Sequence, residues 1–292
     1  MVDSRRFTFN NLQNVEIEIS SLCNRKCNYC PQCKIKRTRE LFPLDIFEKV
    51  MNELKEINYG GGLAFHQYNE PLLEYEHLCK CIAIAKKINP GLRLELYTNG
   101  DLLTRKRYLE LKRMGINRLV ITCHLGKDEV WSKELGEAKV NELLHRLRIH
   151  KKVNVNGDSV ETNVSPIREF VFKLKEFGYS GVKKYPFKLQ IRSVDYNHSG
   201  SSRMGVVEGN TDVRDNPCTY YCYSLMHGFH VSYKGNVYMC CDCCDDVKEL
   251  ENYRIGSVKE EKIYDIFAKK YQIMKDYMNG RKAICNTCFW NA

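Results

Sequence analysis

Three cysteines in one short run, Ser20-Ser21-Leu22-Cys23-Asn24-Arg25-Lys26-Cys27-Asn28-Tyr29-Cys30, are the residues whose type and spacing most clearly imply chemistry. Gaps of three and then two residues place three thiolates in a single loop. Tetrahedral structural zinc needs four ligands, whereas a cubane iron–sulfur cluster held by three keeps one iron open for a substrate or cofactor to chelate. The bland alternative is three buried structural thiols, but apolar packing does not require them to share a loop.

Eight further cysteines lie between Cys218 and the carboxyl end. Phe229–Tyr233, the Lys234-Gly235 turn and Asn236–Met239 read as a hairpin, with Cys222 before it and Cys240 after it. An amphipathic helix from about Ile263 to Tyr277 then precedes Cys285-Asn286-Thr287-Cys288. Residue types leave zinc and an iron–sulfur cluster both open for this second set.

The elements that must position these groups read as alternating strand and helix. Val15–Ile19 alternates like a strand, so the first three cysteines follow its carboxyl end. Leu44–Ile57 is a helix opened by Pro43 and Asp45, Gly62–His66 a strand, and Leu72–Ile88 a helix led by Pro71. Leu92–Tyr97 is a strand, Leu103–Met114 a helix closed by Gly115, and Asn117–Thr122 a strand. Such βα repetition predicts an α/β fold with a parallel sheet or barrel, whose chemistry gathers at the carboxyl ends of the strands. Ser20–Cys30, Gln67–Glu70, Thr98–Asp101 and Cys123-His124 are the polar segments there. Further on, Val140–Ile149 and Pro166–Phe177 look helical, Phe187–Ile191 looks like a strand, and Asn197–Arg203 looks like a loop. The jump in cysteine density divides the chain into units of residues 1–214 and 215–292.

Composition narrows the function classes. The 292 residues, 43% of them apolar, suit a globular protein with one large core and a small appended unit. No apolar run approaches a membrane span and Met1–Asn10 is too polar for a signal peptide, so a cytoplasmic protein is expected. Fifteen cysteines without an export signal point to metal ligation rather than disulfides. The net charge of +10 is spread along the chain, which argues against a nucleic-acid partner and suits an anionic small molecule or a reducing protein.

The spacing C-x-x-x-C-x-x-C, with Tyr29 before the last cysteine, resembles the signature of the radical S-adenosylmethionine (SAM) superfamily. That resemblance implies a partial (β/α)6 TIM-like barrel and a [4Fe–4S] cluster on Cys23, Cys27 and Cys30 whose open iron is held by SAM. Reductive cleavage of SAM would then give a 5′-deoxyadenosyl radical that abstracts hydrogen from substrate carbon. Cys222, twelve residues, Gly235, four residues and Cys240 resemble the opening of the SPASM/Twitch auxiliary-cluster domains; Tyr253–Val258, a helix and the final C-x-x-C continue the pattern. The shorter Twitch version is implied, with one auxiliary [4Fe–4S] cluster on Cys222, Cys240, Cys285 and Cys288. Cys218, Cys243 and Cys244 are the alternative ligands, while Cys33, Cys79 and Cys81 read as core or bystander thiols.

Cys23–Pro31, Phe65–Leu72, Tyr97–Asp101 and Gly235-Asn236-Val237 are similar to aminoglycoside- and aminocyclitol-modifying members of that superfamily, over residues 15–125 and 218–292. The likeness implies a role in antibiotic biosynthesis: oxidation of an alcohol carbon to a ketone in a sugar- or aminocyclitol-like small molecule, with a flavodoxin- or ferredoxin-type electron donor. It further implies that Glu70 meets the SAM amino group (Asn69 standing where the family carries glycine), that Tyr29 contacts adenine, and that Thr98, Asn99 and His124 meet ribose or carboxylate. Arg203 would reach SAM or substrate. Cys241, next to a cluster ligand, opens an alternative: epimerisation of a sugar carbon with Cys241 as hydrogen donor. Modification of a ribosomal peptide, and a non-enzymatic metal-bound interaction module, are the readings from other classes.

Overall fold

The computed structural model describes residues 12–126, 129–150, 154–156, 159–164, 187–194, 206–207 and 223–278. Strands β1 (Asn14–Ile17), β2 (Gly62–Ala64), β3 (Arg93–Thr98), β4 (Ile116–Thr122), β5 (Asn154–Asn156), β6 (Ser159–Val164), β7 (Lys188–Val194), β8 (Gly228–Val231), β9 (Asn236–Tyr238) and β10 (Arg254–Ser257) join in one sheet. Its order is β10-β9-β8-β1-β2-β3-β4-β7-β6-β5. The six central strands, β8 to β7, run parallel, and an antiparallel hairpin flanks them on each side. The α/β fold with a parallel sheet expected from the βα repetition is therefore present, with the six parallel strands of the partial (β/α)6 barrel that the family resemblance implies. The hairpin that marks the second unit in the sequence joins the main sheet directly, because β8 lies parallel to β1 from Asn14↔Gly228 to Ile17↔Val231.

Helices α1 (Leu44–Glu56), α2 (Tyr75–Ile88), α3 (Arg105–Arg113) and α4 (Lys133–Leu147) cover one face of the sheet, with α5 (Tyr223–His227) and α6 (Ile263–Met278) following later in the chain. Each of the longer early helices presents an apolar stripe at helical spacing: Phe47, Val50, Met51 and Leu54 on α1; Leu78, Cys81, Ile82 and Ala85 on α2; Val140, Leu143, Leu144 and Leu147 on α4. They meet Val15, Ile17, Leu63, Phe65, Leu94, Leu96, Leu119, Ile121, Leu189, Ile191, Phe229 and Val231 of the strands in one buried core. Element boundaries differ from the sequence reading by a residue or two, with three exceptions, one being β7, which runs on to Val194 instead of ending at Ile191. The segment opening at Pro71 is first a 3-10 turn, Pro71–Glu74, before α2, and α4 begins at Lys133, capped by the Ser132 side chain, rather than near Val140. The expected Pro166–Phe177 helix lies outside the described residues. Among the described residues no helix is long and apolar enough to cross a membrane.

Because side chains alternate across a strand, the opposite face is set by the residues in between. Most are polar, Glu16, Glu18, His66, Glu95, Tyr97, Arg118, Gln190, Arg192 and His230, with Ala64 and Val120 as apolar members. Parallel sheets are ordinarily apolar on both faces and TIM barrels fill their interiors with branched apolar side chains. Here the face turned away from the helices is ionic and hydrogen-bonded. Glu95 receives hydrogen bonds from Arg93, Arg118 and Tyr97, and Glu16 pairs with His230 at 2.9 Å.

Candidate active site

The loop after β1 carries Cys23, Cys27 and Cys30, all half-buried and none in a disulfide. It is held in place by the ends of the neighbouring strands. Arg25 makes a bidentate pair with Asp101 after β3, at 2.6 Å for both Nε–Oδ2 and Nη2–Oδ1, and donates to the carbonyls of His124 and Leu125 after β4. The Asn24 amide donates to Asp101 at 2.9 Å, and Asn99 Nδ2 donates to Asn24 Oδ1 at 2.8 Å. Buried Gln32 closes the far end by donating from Nε2 to the carbonyls of Ser21 and Tyr68, both at 2.9 Å. Gly100 between these groups has φ +77°, and a Cβ there would lie 2.6 Å from Ile121 Cγ2, so the turn that aims Asn99 and Asp101 at the loop needs glycine.

Glu70 is buried after β2 and accepts from Thr98 Oγ1 at 2.6 Å, from Asn99 N at 2.8 Å and from Leu72 N at 3.0 Å. Its own N–H donates to the Leu22 carbonyl, which ties it to the cysteine loop. Burial pushes its carboxyl up to about 6, against those three donors. Asn99 Nδ2 reaches Cys23 Sγ at 3.9 Å. Burial, with Glu70 and the other two thiols close by, raises the Cys23 thiol to about 12. On the far side, Tyr29 Oη and His124 Nδ1 share a hydrogen bond of 2.7 Å, with ring centroids 5.8 Å apart. Burial, helped by Arg25, lowers His124 to about 4, so the imidazole is neutral at pH 7.

Thus eight residues singled out in the sequence gather here: Cys23, Cys27, Tyr29 and Cys30 on the loop, and Glu70, Thr98, Asn99 and His124 at the neighbouring strand ends. Arg203, Cys222, Cys285 and Cys288 lie outside the described residues. The clamp residues Arg25, Gln32 and Asp101 were not foreseen individually. Arg25 reads as a solvated cation between two cysteines, and its partner stands 76 positions away.

The second cysteine-rich loop, residues 239–247, folds back over the polar face of the sheet. Cys240 and Cys241 are half-buried, whereas Cys243 and Cys244 are fully buried. Cys240 Sγ lies 3.7 Å from Cys243 Sγ. Ser224 Oγ accepts from Cys241 N at 3.1 Å and bonds His230 Nε2 at 2.9 Å, so the Glu16–His230 pair reaches Cys241 through one hydroxyl. Tyr68 Oη donates to the Cys241 carbonyl at 3.0 Å. Arg37, with no exposed side-chain surface, pairs with equally buried Glu18 at 2.6 Å and with Asp246 at 3.0 Å, and stacks over Tyr233 at 4.9 Å. Tyr68, Cys244, Val247 and Leu250 form a small core that Cys30 and Ile35 pack against, so the two cysteine loops share an apolar contact.

Among the described residues no three His, Cys, Asp or Glu side chains converge as ligands of a single ion would. A cubane distributes its cysteines over separate irons. Three half-buried thiols on one loop, an amide at one sulfur and an adjacent buried carboxylate form a donor set that fits it.

Comparison with known proteins places this geometry. Residues 17–170, more than half of the chain, match the Radical SAM superfamily, and residues 222–289 match SPASM, an iron–sulfur cluster-binding domain. The chain is similar to the S-adenosyl-L-methionine-dependent 2-deoxy-scyllo-inosamine dehydrogenase of Niallia circulans, at 38% identity over 114 residues, 38% of this chain and 45% of that protein. It is also similar to an uncharacterised protein of Methanocaldococcus jannaschii, at 29% identity over 136 residues, 47% of this chain and 43% of that protein. The matched spans thus cover less than half of these curated relatives. In fold it is similar to the crystal structure of BtrN in complex with AdoMet and 2-DOIA, at TM-score 0.64 and 23% identity over 95% of this chain and 91% of that one. An open conformation of BtrN gives TM-score 0.57 at 21% identity, over 95% and 92%. The core domain of this superfamily binds SAM and a [4Fe–4S] cluster, and the SPASM domain binds auxiliary iron–sulfur clusters. With its three-cysteine loop at the carboxyl end of β1 and its parallel sheet, the chain belongs to the Radical SAM superfamily.

Proposed function

We propose that this enzyme oxidises an alcohol carbon of a polar, sugar- or aminocyclitol-like small molecule to a ketone, in the manner of an antibiotic-biosynthetic dehydrogenase. The observation that carries this reading is the polar face of the parallel sheet beneath the cysteine loop. A substrate rich in hydroxyl and amino groups finds hydrogen-bonding partners there, and an apolar one does not. The similarity to a dehydrogenase of 2-deoxy-scyllo-inosamine supports the same substrate class.

When bound, the cluster and SAM supply a carbon radical able to take a hydrogen atom from an unactivated C–H bond. The chain's own residues hold and aim the parts. Cys23, Cys27 and Cys30 hold the first cluster. Glu70, which has filled three of the roughly four acceptor positions of a carboxylate, keeps one for the SAM ammonium. Tyr29 offers its ring to adenine, and Thr98, Asn99 and neutral His124 stand where ribose and carboxylate oxygens need partners. Residues 1–214 form the SAM-binding unit and 215–292 the auxiliary unit, with an auxiliary [4Fe–4S] cluster on Cys222, Cys240, Cys285 and Cys288. The range of the SPASM match, which begins on Cys222 and ends one residue beyond Cys288, supports that ligand set. Arg203 is assigned to SAM or substrate. A flavodoxin- or ferredoxin-type donor, drawn by the net charge of +10, supplies electrons in the cytoplasm.

Cys241 motivates a second reading, epimerisation. It is half-buried, fixed by Ser224 and Tyr68, and close to Glu16 on the polar face. A thiol so placed could return a hydrogen atom to the opposite face of a substrate radical. The test is anaerobic turnover of reconstituted, reduced protein with SAM and 2-deoxy-scyllo-inosamine, read by mass spectrometry. Oxidation gives 5′-deoxyadenosine and a product two hydrogens lighter, and it survives Cys241→Ala. Epimerisation returns the starting mass, takes one deuterium from D2O and stops with Cys241→Ala. Absence of 5′-deoxyadenosine with every aminocyclitol and hexose offered overturns both.

A further inference from the structure

We infer that His66 and Gln67 read adjacent hydroxyl groups of the substrate, and so set its specificity. The inference rests on the small-molecule reading of the site. Buried polar atoms are ordinarily hydrogen-bonded, and each exception calls for an explanation. Eight buried side-chain nitrogen or oxygen atoms lack a partner among the described residues. Three of them, His66 Nδ1, Gln67 Nε2 and Gln67 Oε1, belong to two consecutive residues, while the rest are single atoms of scattered side chains.

Their position is where substrate must lie. Phe65 faces the helix-covered core, so His66 turns to the polar face, where its ring stacks on Tyr97 with centroids 4.1 Å apart and planes 20° from parallel. Glu16, Glu95 and Arg192 act on it electrostatically, which places it amid the polar side chains of β1, β3 and β7. The Gln67 backbone is settled, its N–H donating to Asn69 Oδ1 at 3.1 Å, so the unpartnered amide belongs to the side chain alone. Three residues on stands Glu70, tied to the cysteine loop. The pair therefore lies between the polar face and the SAM-binding loop.

The chemistry of these atoms selects the ligand. A glutamine amide offers two donors and an acceptor in one plane, and an imidazole nitrogen beside it adds one more. An ammonium only donates and a carboxylate only accepts. Neighbouring hydroxyls do both. The surrounding charged residues favour a compact ring bearing them over a peptide, which would bring apolar side chains against Glu16, Glu95 and Arg192. A site built to bond a hydroxyl rejects an analogue lacking it, because its buried polar groups are then left unpaired.

The probe is 2-deoxy-scyllo-inosamine, titrated calorimetrically into reconstituted holoenzyme with SAM, with cyclohexylamine as the ring that keeps an amine and lacks hydroxyls. Gln67→Met preserves side-chain length, and His66→Phe preserves the stack on Tyr97. Each is expected to weaken the aminocyclitol about tenfold or more and to narrow its advantage over cyclohexylamine. The ligand-free Gln67→Met protein should melt no lower than wild type, since no native partner is lost. Unchanged affinity in both variants overturns the inference, as does a clear loss of ligand-free stability in Gln67→Met. Wild-type protein that ignores the aminocyclitol but binds a peptide probe sinks the small-molecule reading and this inference with it, an outcome distinguished by the failure of the wild type itself.

Discussion

The two cysteine-bearing loops are held in contrasting ways. The first, after β1, is clamped from its rim: Arg25 and Asn24 grip Asp101, Gln32 grips two carbonyls, and all three thiols remain half-buried. The second, residues 239–247, is anchored from beneath by an ion pair with no exposed side-chain surface, Arg37–Glu18, and buries Cys243 and Cys244 completely. For the cluster-holding role proposed for the first loop, polar clamps at its edge fix the backbone without covering the sulfurs. A loop that only has to hold a group against the sheet can bury its support. The difference also sorts the cysteines of the second loop. The half-buried Cys240 suits a ligand and half-buried Cys241 a group beside the polar face, while Cys243 and Cys244 pack as core.

The largest effects should come from the sulfurs themselves. Cys23→Ala is expected to abolish 5′-deoxyadenosine formation, whereas Cys240→Ala should remove about four of about eight irons yet leave SAM cleavage measurable. Cys243→Ala and Cys244→Ala should keep the full iron content. An iron count with Mössbauer spectroscopy checks this, and loss of iron from Cys244→Ala would erase the sorting just drawn.

Next in size is the buried support. Arg37→Met leaves the buried Glu18 carboxyl without its ion-pair partner and should cost about 3–5 kcal/mol in urea denaturation. Adding Glu18→Gln, which removes the charge and keeps one oxygen for either the Tyr68 or the Tyr233 N–H, should recover part of it. A cost below about 1 kcal/mol for Arg37→Met would mean that the second loop is not supported from beneath.

The smallest effect belongs to the rim clamp. Although burial opposes it, the Arg25 hydrogen bonds hold the Asp101 carboxyl below its ordinary 3.8. A depressed carboxyl stabilises the fold above its unfolded value, and that contribution disappears as pH falls through the folded value. The apo protein should therefore show a flat contribution from this pair at neutral pH and lose it below 3.8. Half-exposed as the pair is, it is worth about 1 kcal/mol or less. Thermal melts of wild type and Asp101→Asn across pH 3–7 should converge at the acid end, and curves that stay parallel would remove the clamp's electrostatic role.

Much of this molecule was legible in one dimension. Cys23, Cys27 and Cys30 stand close together because gaps of three and two residues keep them on one short segment, and the alternation of Leu94 and Leu96 with Glu95 and Tyr97 marks a strand whose apolar side must be covered. The stripes on α1 and α2 follow from helical periodicity in the same way. Periodicity, however, only says that Glu16, Glu95, Arg118 and Arg192 share a face. A solvent-washed surface and a covered polar layer give the same pattern, and the difference lies in what stands opposite. That was decided in three dimensions, by β8 returning to pair with β1 and by residues 239–247 crossing the polar face. Arg25–Asp101 and Arg37–Glu18 were likewise settled by folding, since ion pairs between distant positions obey no local spacing. Local steric and hydrophobic preferences are written along the chain, whereas contacts between remote segments exist only once the sheet has brought them together.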